Sequence, residues 1–123
     1  MAEHLDFGKK GEEIASGFLQ KKGYKILETN WRSGRNEIDL VARDSTGKYL
    51  VVVEVKSRHS LYGGEPETAV TRDKQRSLIR AANDYVVYKK IQEEVRFDII
   101  SILITKEGEK INHIEDAFYP TLK

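Results

Sequence analysis

The most apolar short stretch of the chain is Val51-Val52-Val53-Glu54-Val55-Lys56. A run of β-branched residues of this length reads as a strand buried on both faces. It ends in a carboxylate and an ammonium two positions apart, and side chains two apart on a strand point to the same face. Isolated charges are costly to bury. Either the strand surfaces at Glu54 and Lys56, or it ends in a site, and these six residues leave both open.

The pattern elsewhere supplies the setting. Residues 7–22 repeat at helical spacing, with Phe7, Ile14, Ala15, Phe18 and Leu19 on one stripe and Gly23 as the stop. Glu12 lies at the stripe's edge, either a boundary residue favoured by the helix dipole or part of a site; Glu13 lies opposite and is expected to be solvated. Gly8 and Gly11 weaken the first turns, and close approach to a sheet is one reason to have them. Residues 24–28 predict a short strand, and 30–36, rich in turn formers, an irregular link. Trp31 within it is more often core than a ligand platform.

Residues 37–43 alternate, with Glu37, Asp39, Val41 and Arg43 on one face and Ile38, Leu40 and Ala42 on the other. Residues 44–48 form a hairpin turn by composition. With Asp44 opposite Tyr49, Val41 meets Val52, Asp39 meets Glu54 and Glu37 meets Lys56. A one-residue slip would reverse the facing. Residues 57–68, with Gly63, Gly64 and Pro66, predict a loop over the acidic end of the sheet. A second helix is expected from Thr71, its N-cap, to Lys89, with Leu78, Ala81 or Ala82, Tyr85 and Tyr88 or Lys89 inward and Lys74 and Gln75 extending that stripe. Arg76 and Arg80 read as solvated surface. Residues 95–105 are apolar on both faces, which predicts a central strand and a βαβ unit with strand 48–56. Residues 110–114 predict an edge strand, after which Ala117, Phe118 and Tyr119 pack the tail down.

The chain has 123 residues, 33% charged and 39% hydrophobic, with no cysteine and a net charge of +1. One α/β domain over residues 1–123 is expected. Absence of cysteine removes disulfides and thiolate chemistry. No apolar run reaches membrane-spanning length and the N-terminus does not resemble a signal peptide, so the expected location is cytoplasmic, with no membrane partner. The near-neutral charge means that any nucleic-acid role must come from a local patch, for which Arg32, Arg35, Lys56, Arg58, Arg72 and Lys74 are candidates. It also keeps a protein-interaction module in play. His4, His59 and His113 show no zinc-ligand spacing, and no phosphate-binding glycine loop is present.

The candidate constellation is Glu12, Glu37, Asp39, Glu54 and Lys56, with Lys74 or Gln75 nearby. Two carboxylates facing each other across strands repel and make poor scaffold. They suit a hard divalent ion such as Mg²⁺, which orients a phosphate and activates water, while a lysine at its edge offsets phosphoryl charge.

Asp39 with Glu54-Val55-Lys56 resembles the PD-(D/E)xK motif of the restriction-endonuclease-like fold. The order of elements resembles Holliday junction resolvases of the archaeal type. Residues 8–15, 22–24, 30–32, 37–40, 53–58 and 96–98, with Ala69, Val70 and Lys74, make nearly the whole chain similar to the YraN-like family of small bacterial proteins. The resemblance implies a central mixed sheet of about five strands with helices on both faces. It implies Mg²⁺ or Mn²⁺ held by Asp39 and Glu54, with the Val55 carbonyl as a further ligand and Glu12 completing the site. Lys56 is implied as the catalytic lysine, and Gln75 or Lys74 as a phosphate contact. Ile38 stands where the motif's proline would precede Asp39, and Asn36 where the family usually has glycine. The expected activity is metal-dependent endonucleolytic hydrolysis of DNA, branched or single-stranded, with a homodimer compatible with the resolvase likeness. The alternatives are a non-catalytic nucleic-acid-binding module on the same fold and a protein-interaction module.

Overall fold

A computed structural model describes residues 2–59 and 70–120, with side chains from Gly8 onward. The expected loop over the sheet at 57–68 lies mostly outside the described residues, as do the side chains of His4 and Phe7. Seven elements follow in order: α1 (Ala2–Lys21), β1 (Lys25–Ser33), β2 (Asn36–Arg43), β3 (Tyr49–Arg58), α2 (Arg72–Lys89), β4 (Glu94–Thr105) and β5 (Gly108–Phe118). The sheet runs β1-β2-β3-β4-β5; β3 and β4 are parallel and the other neighbours antiparallel. This is the mixed five-stranded α/β arrangement of the restriction-endonuclease-like fold.

Each face of the sheet is covered by one helix. Val41, Leu50, Val52 and Phe97 pack on Leu78, Ala81, Ala82 and Tyr85 of α2. Leu40, Ala42, Val51, Val53, Ile100 and Ile102 pack on Ala15 and Leu19 of α1. Full burial of each large aliphatic side chain contributes roughly 1.5–3 kcal/mol, so the strand of valines holds both layers. Helix α1 stops as expected: Gly23 takes φ +90°, and the Tyr24 N–H donates to the Leu19 carbonyl at 3.0 Å. Thr71 caps α2, its side chain accepting from the Lys74 N–H at 3.1 Å.

Several expectations are corrected. The link at 30–36 is mostly strand: β1 continues to Ser33, and Gly34-Arg35 makes a two-residue turn with Gly34 at φ +61°. Trp31 anchors this extension, its ring edge-to-face with Tyr85 at 5.1 Å. Ile38 does not share a face with Leu40 and Ala42; it packs with Val41 on the α2 side. Tyr88 and Tyr119 point outward, 70% and 66% exposed. Strand β5 reaches Phe118, which stacks on Phe97 at 5.0 Å.

Of the two early glycines, Gly8 has open space around its Cα and Gly11 does not. A β-carbon at Gly11 would collide with Ser57 Oγ and lie 3.2 Å from Ser57 Cβ. This contact lays the middle of α1 on the end of β3. Gly11→Val should lower stability by about 1–3 kcal/mol through overpacking, and adding Ser57→Gly should recover part of that loss. Urea unfolding of the single and double variants checks both.

Candidate metal centre

The register expected from the hairpin is the register found. Asp44 N–H donates to the Tyr49 carbonyl at 3.1 Å, Val41 pairs with Val52, and Leu40 pairs with Val53. Ladder pairing of β2 with β3 ends there. Asp39 and Glu54 stand one residue beyond the last rung, where the strands separate. The Asp39 carboxylate fills the gap by accepting the Val55 N–H at 2.8 Å. In a strand, the N–H and C=O of one residue face the same neighbour, so the Val55 carbonyl opens toward the same gap. Asp39 thus substitutes for a lost ladder bond, and the change of face at Ile38 falls where Asn30, between its β1 neighbours Thr29 and Trp31, takes φ +51°.

Glu54 is 9% exposed, and its Oε1 is buried without a hydrogen-bond donor among the described residues. Lys74 Nζ lies 3.7 Å away, an ion pair too long to be a hydrogen bond. Burial first, then the Asp39 charge, pushes the Glu54 carboxyl up to about 7, with Lys74 and Lys56 opposing. Burial likewise raises Asp39 against the Val55 N–H and the charge of Lys74.

A carboxyl held above its unfolded value retains a proton that the unfolded chain has released. Its stabilising effect is complete below about pH 4.5 and is lost as pH rises to about 7. Glu54→Gln should therefore remove a fall in folding stability on the order of 2–3 kcal/mol across that window. Urea unfolding of wild type and variant at a series of pH values shows whether the difference grows with pH.

The other expected site residues are placed as follows. Lys56 is half-buried and its charge reaches Glu54. Glu37 does not meet Lys56; it sits opposite Arg32 in β1, 3.6 Å from its guanidinium, because β2 has left β3 by that point. Glu12 is not drawn into a three-acid cluster. It accepts the Asn30 side-chain N–H at 2.8 Å; burial raises its carboxyl, with smaller contributions from the charges of Asp39 and Glu37. Among the described residues, no three histidine, aspartate or glutamate side chains group closely enough to hold a metal on their own. Asn30 was not expected at the site. It lies opposite Asp39 in the β1–β2 register and adopts φ +51°; asparagine's tolerance of that conformation was the available signal, and it read as a turn.

The expected basic residues gather around this end. Lys74 is at Glu54, and Arg72 is exposed in the first turn of α2. Arg35 is exposed in the β1–β2 turn, Arg32 pairs with Glu37, and Arg58 closes β3. Gln75 is half-buried and turned away, its side chain donating to the Val70 carbonyl at 3.0 Å. An Asn36–Ser77 hydrogen bond of 2.8 Å ties the β1–β2 hairpin to α2. No helix in the described residues is long and apolar enough to cross a membrane.

Fold and site geometry together define an α/β protein of restriction-endonuclease-like architecture with paired acids at the parting of β2 and β3. The chain belongs to the uncharacterised protein family UPF0102, whose model matches residues 11–102. It is 48% identical to a UPF0102 protein of Flavobacterium psychrophilum, covering 97% of this chain and 98% of that one. It is 44% identical to one from Phocaeicola vulgatus, covering 99% of each, and 46% identical to one from Porphyromonas gingivalis, covering 100% of this chain and 91% of that one. The solved structure of Pyrococcus furiosus SfsA in complex with Ca²⁺ aligns with 91% of this chain and 63% of that chain, at 19% identity and a TM-score of 0.41. That likeness is too loose to bear on function.

Proposed function

We propose that the protein hydrolyses phosphodiester bonds in DNA with the aid of Mg²⁺ or Mn²⁺. The observation that carries this reading is the buried Glu54 Oε1, which lacks a hydrogen-bond donor among the described residues, near the Asp39 charge. Two carboxylates and a backbone carbonyl suit Mg²⁺, which keeps several of its waters and needs no all-protein cage. When bound, such an ion supplies Lewis-acid polarisation of a phosphoryl oxygen and a more acidic water. Asp39 is fixed by the Val55 N–H and Glu54 by its burial, so neither needs to reorganise. Lys56 offsets charge developing on the phosphoryl oxygens. Glu12, tethered by Asn30, contributes negative field beside the pair. Arg35, in the β1–β2 turn, and the exposed Arg72, in the first turn of α2, offer phosphate contacts at this end of the sheet.

The test incubates the protein with Mg²⁺ or Mn²⁺ and linear, nicked, flapped and four-way DNA. Metal-dependent cleavage that Asp39→Asn abolishes is expected. Absence of cleavage on every substrate, or cleavage that survives in the variant, overturns the reading. One observation favours a second reading, a module that binds nucleic acid without cutting it. Lys74 already sets an ammonium 3.7 Å from the unsatisfied oxygen and could neutralise the pair in place of a metal. Salt-sensitive binding without turnover is its signature.

A further inference from the structure

A groove of about 650 Å³ opens between the outer end of β1 and the last turns of α2, lined by Trp31, Arg32, Ser33, Asp84, Val87 and Tyr88. Three large hydrophobic side chains stand exposed among the described residues, and two of them, Val87 and Tyr88, are in this groove. Exposed apolar surface gathered in one concavity marks a binding site more often than scattered residues do. The Trp31 and Tyr88 rings are 6.5 Å apart between centroids with planes at 34°, an open wedge rather than a closed stack. Lys89 Nζ lies 5.4 Å from the Tyr88 ring. In the β1–β2 register, Trp31 pairs with Ile38, the residue before Asp39, so the groove begins one strand away from the paired acids.

We propose that this groove holds an unpaired, amino-bearing nucleobase of a single-stranded segment whose neighbouring phosphates reach the Asp39–Glu54 end. Three features select this occupant. Two aromatic faces meeting in a wedge suit one planar ring, and a base offers such a face whatever its sequence. Asp84, the one carboxylate in the groove, accepts the Ser33 hydroxyl at 2.6 Å through Oδ2. Its other oxygen can accept an exocyclic N–H of cytosine or adenine, while it disfavours a phosphate or carboxylate in the slot. Arg32, with a side chain 72% exposed, flanks the groove where the backbone of such a strand would pass. Along α2, Ser77 faces Asn36 and Asp84 faces Ser33, so the hairpin seam runs from the groove toward Glu54. The inference deepens the nuclease reading by assigning its substrate a single-stranded or splayed region beside the scissile bond.

Trp31 is the chain's only tryptophan, so its fluorescence reports the groove alone. The probe is an oligocytidylate of about ten nucleotides at low salt, titrated without divalent metal so that the result does not depend on cleavage. Quenching of Trp31 is expected, with tighter binding to oligocytidylate than to oligothymidylate. Tyr88→Ala should weaken binding by about tenfold or more, and Tyr88→Phe should restore it. Asp84→Asn should erase the preference for cytosine. Equal quenching by an abasic strand of the same length would mean that only the phosphates are read, and would overturn the proposal. So would no quenching, or Trp31 emission that shifts with protein concentration alone, which would mean that a second copy fills the groove. A protein that quenches yet never cuts retains this inference and loses the nuclease reading; one that cuts without quenching does the reverse.

Discussion

Lys56→Met should lower the rate of the proposed metal-dependent DNA cleavage by about 10²–10³-fold and change Mn²⁺ affinity by no more than about threefold. Methionine keeps most of the apolar stem of this half-buried side chain and removes only the ammonium. The lysine emerges on the same face as Glu54, close enough for its charge to oppose the upward shift of that carboxyl. In the proposed reaction a cation so placed would act on charge that grows in the transition state, whereas the carboxylates would act on the ion itself. The split between rate and affinity is therefore the informative result. Single-turnover cleavage at saturating Mn²⁺, with a parallel Mn²⁺ titration, measures both. An unchanged rate would remove Lys56 from the chemistry and leave it a surfacing strand end.

Asp98→Asn costs about 3–5 kcal/mol of folding stability, the range for breaking a buried ion pair from one side. Asp98 is 1% exposed on β4, beside Val53 in the parallel register. Its Oδ1 accepts Arg96 Nε at 2.9 Å and the Asp116 N–H at 3.0 Å; its Oδ2 accepts Arg96 Nη2 at 2.8 Å and meets His113 Nε2 at 2.7 Å. Arg96 also donates to the Tyr24 hydroxyl at 2.6 Å, linking the end of α1 to β4 and β5. Burial opposes ionisation of Asp98, but these four bonds from His113, Arg96 and Asp116, with the Arg96 charge, outweigh it and hold the carboxyl below the usual range. A depressed carboxyl contributes stability that is present above its unfolded value, near pH 4, and lost as pH falls through the folded one. The cost of Asp98→Asn should thus be full at neutral pH and shrink in acid. Urea unfolding at both ends decides it; a cost below about 1 kcal/mol at neutral pH would show that the network contributes little.

What the sequence disclosed depended on how local the cause was. The β2–β3 register, Val41 on Val52 and Leu40 on Val53, was legible because a short turn at 44–48 fixes the register of the strands it joins, and Asp44 and Tyr49 close it as expected. The caps at Gly23 and Thr71 were legible for the same reason. The extent of β1 was not, because Asn30, Ser33 and Gly34 read as turn formers until Trp31 found Tyr85, 54 positions later in the chain. The side chosen by Ile38 was hidden because alternation assumes regular strands, and β1 is irregular at Asn30, φ +51°, beside Ile38's partner Trp31. Glu12 read correctly as an edge residue of α1, yet its partner is Asn30 rather than the acid pair. The Asp98 network went unseen inside an apolar strand, since Tyr24 lies 72 residues from Arg96 and His113 lies 15 from Asp98.

In the proposed function the Glu54 oxygen and Asp39 form a cation site. Mn²⁺ binding measured by its paramagnetic signal, on wild type and Glu54→Gln at about pH 8, tests it most directly. Above the raised Glu54 value this carboxyl is ionised, and a site is predicted that weakens as pH falls below about 7 and disappears in Glu54→Gln. Mn²⁺ binding that is absent from the wild type, or unchanged in the variant, would contradict it.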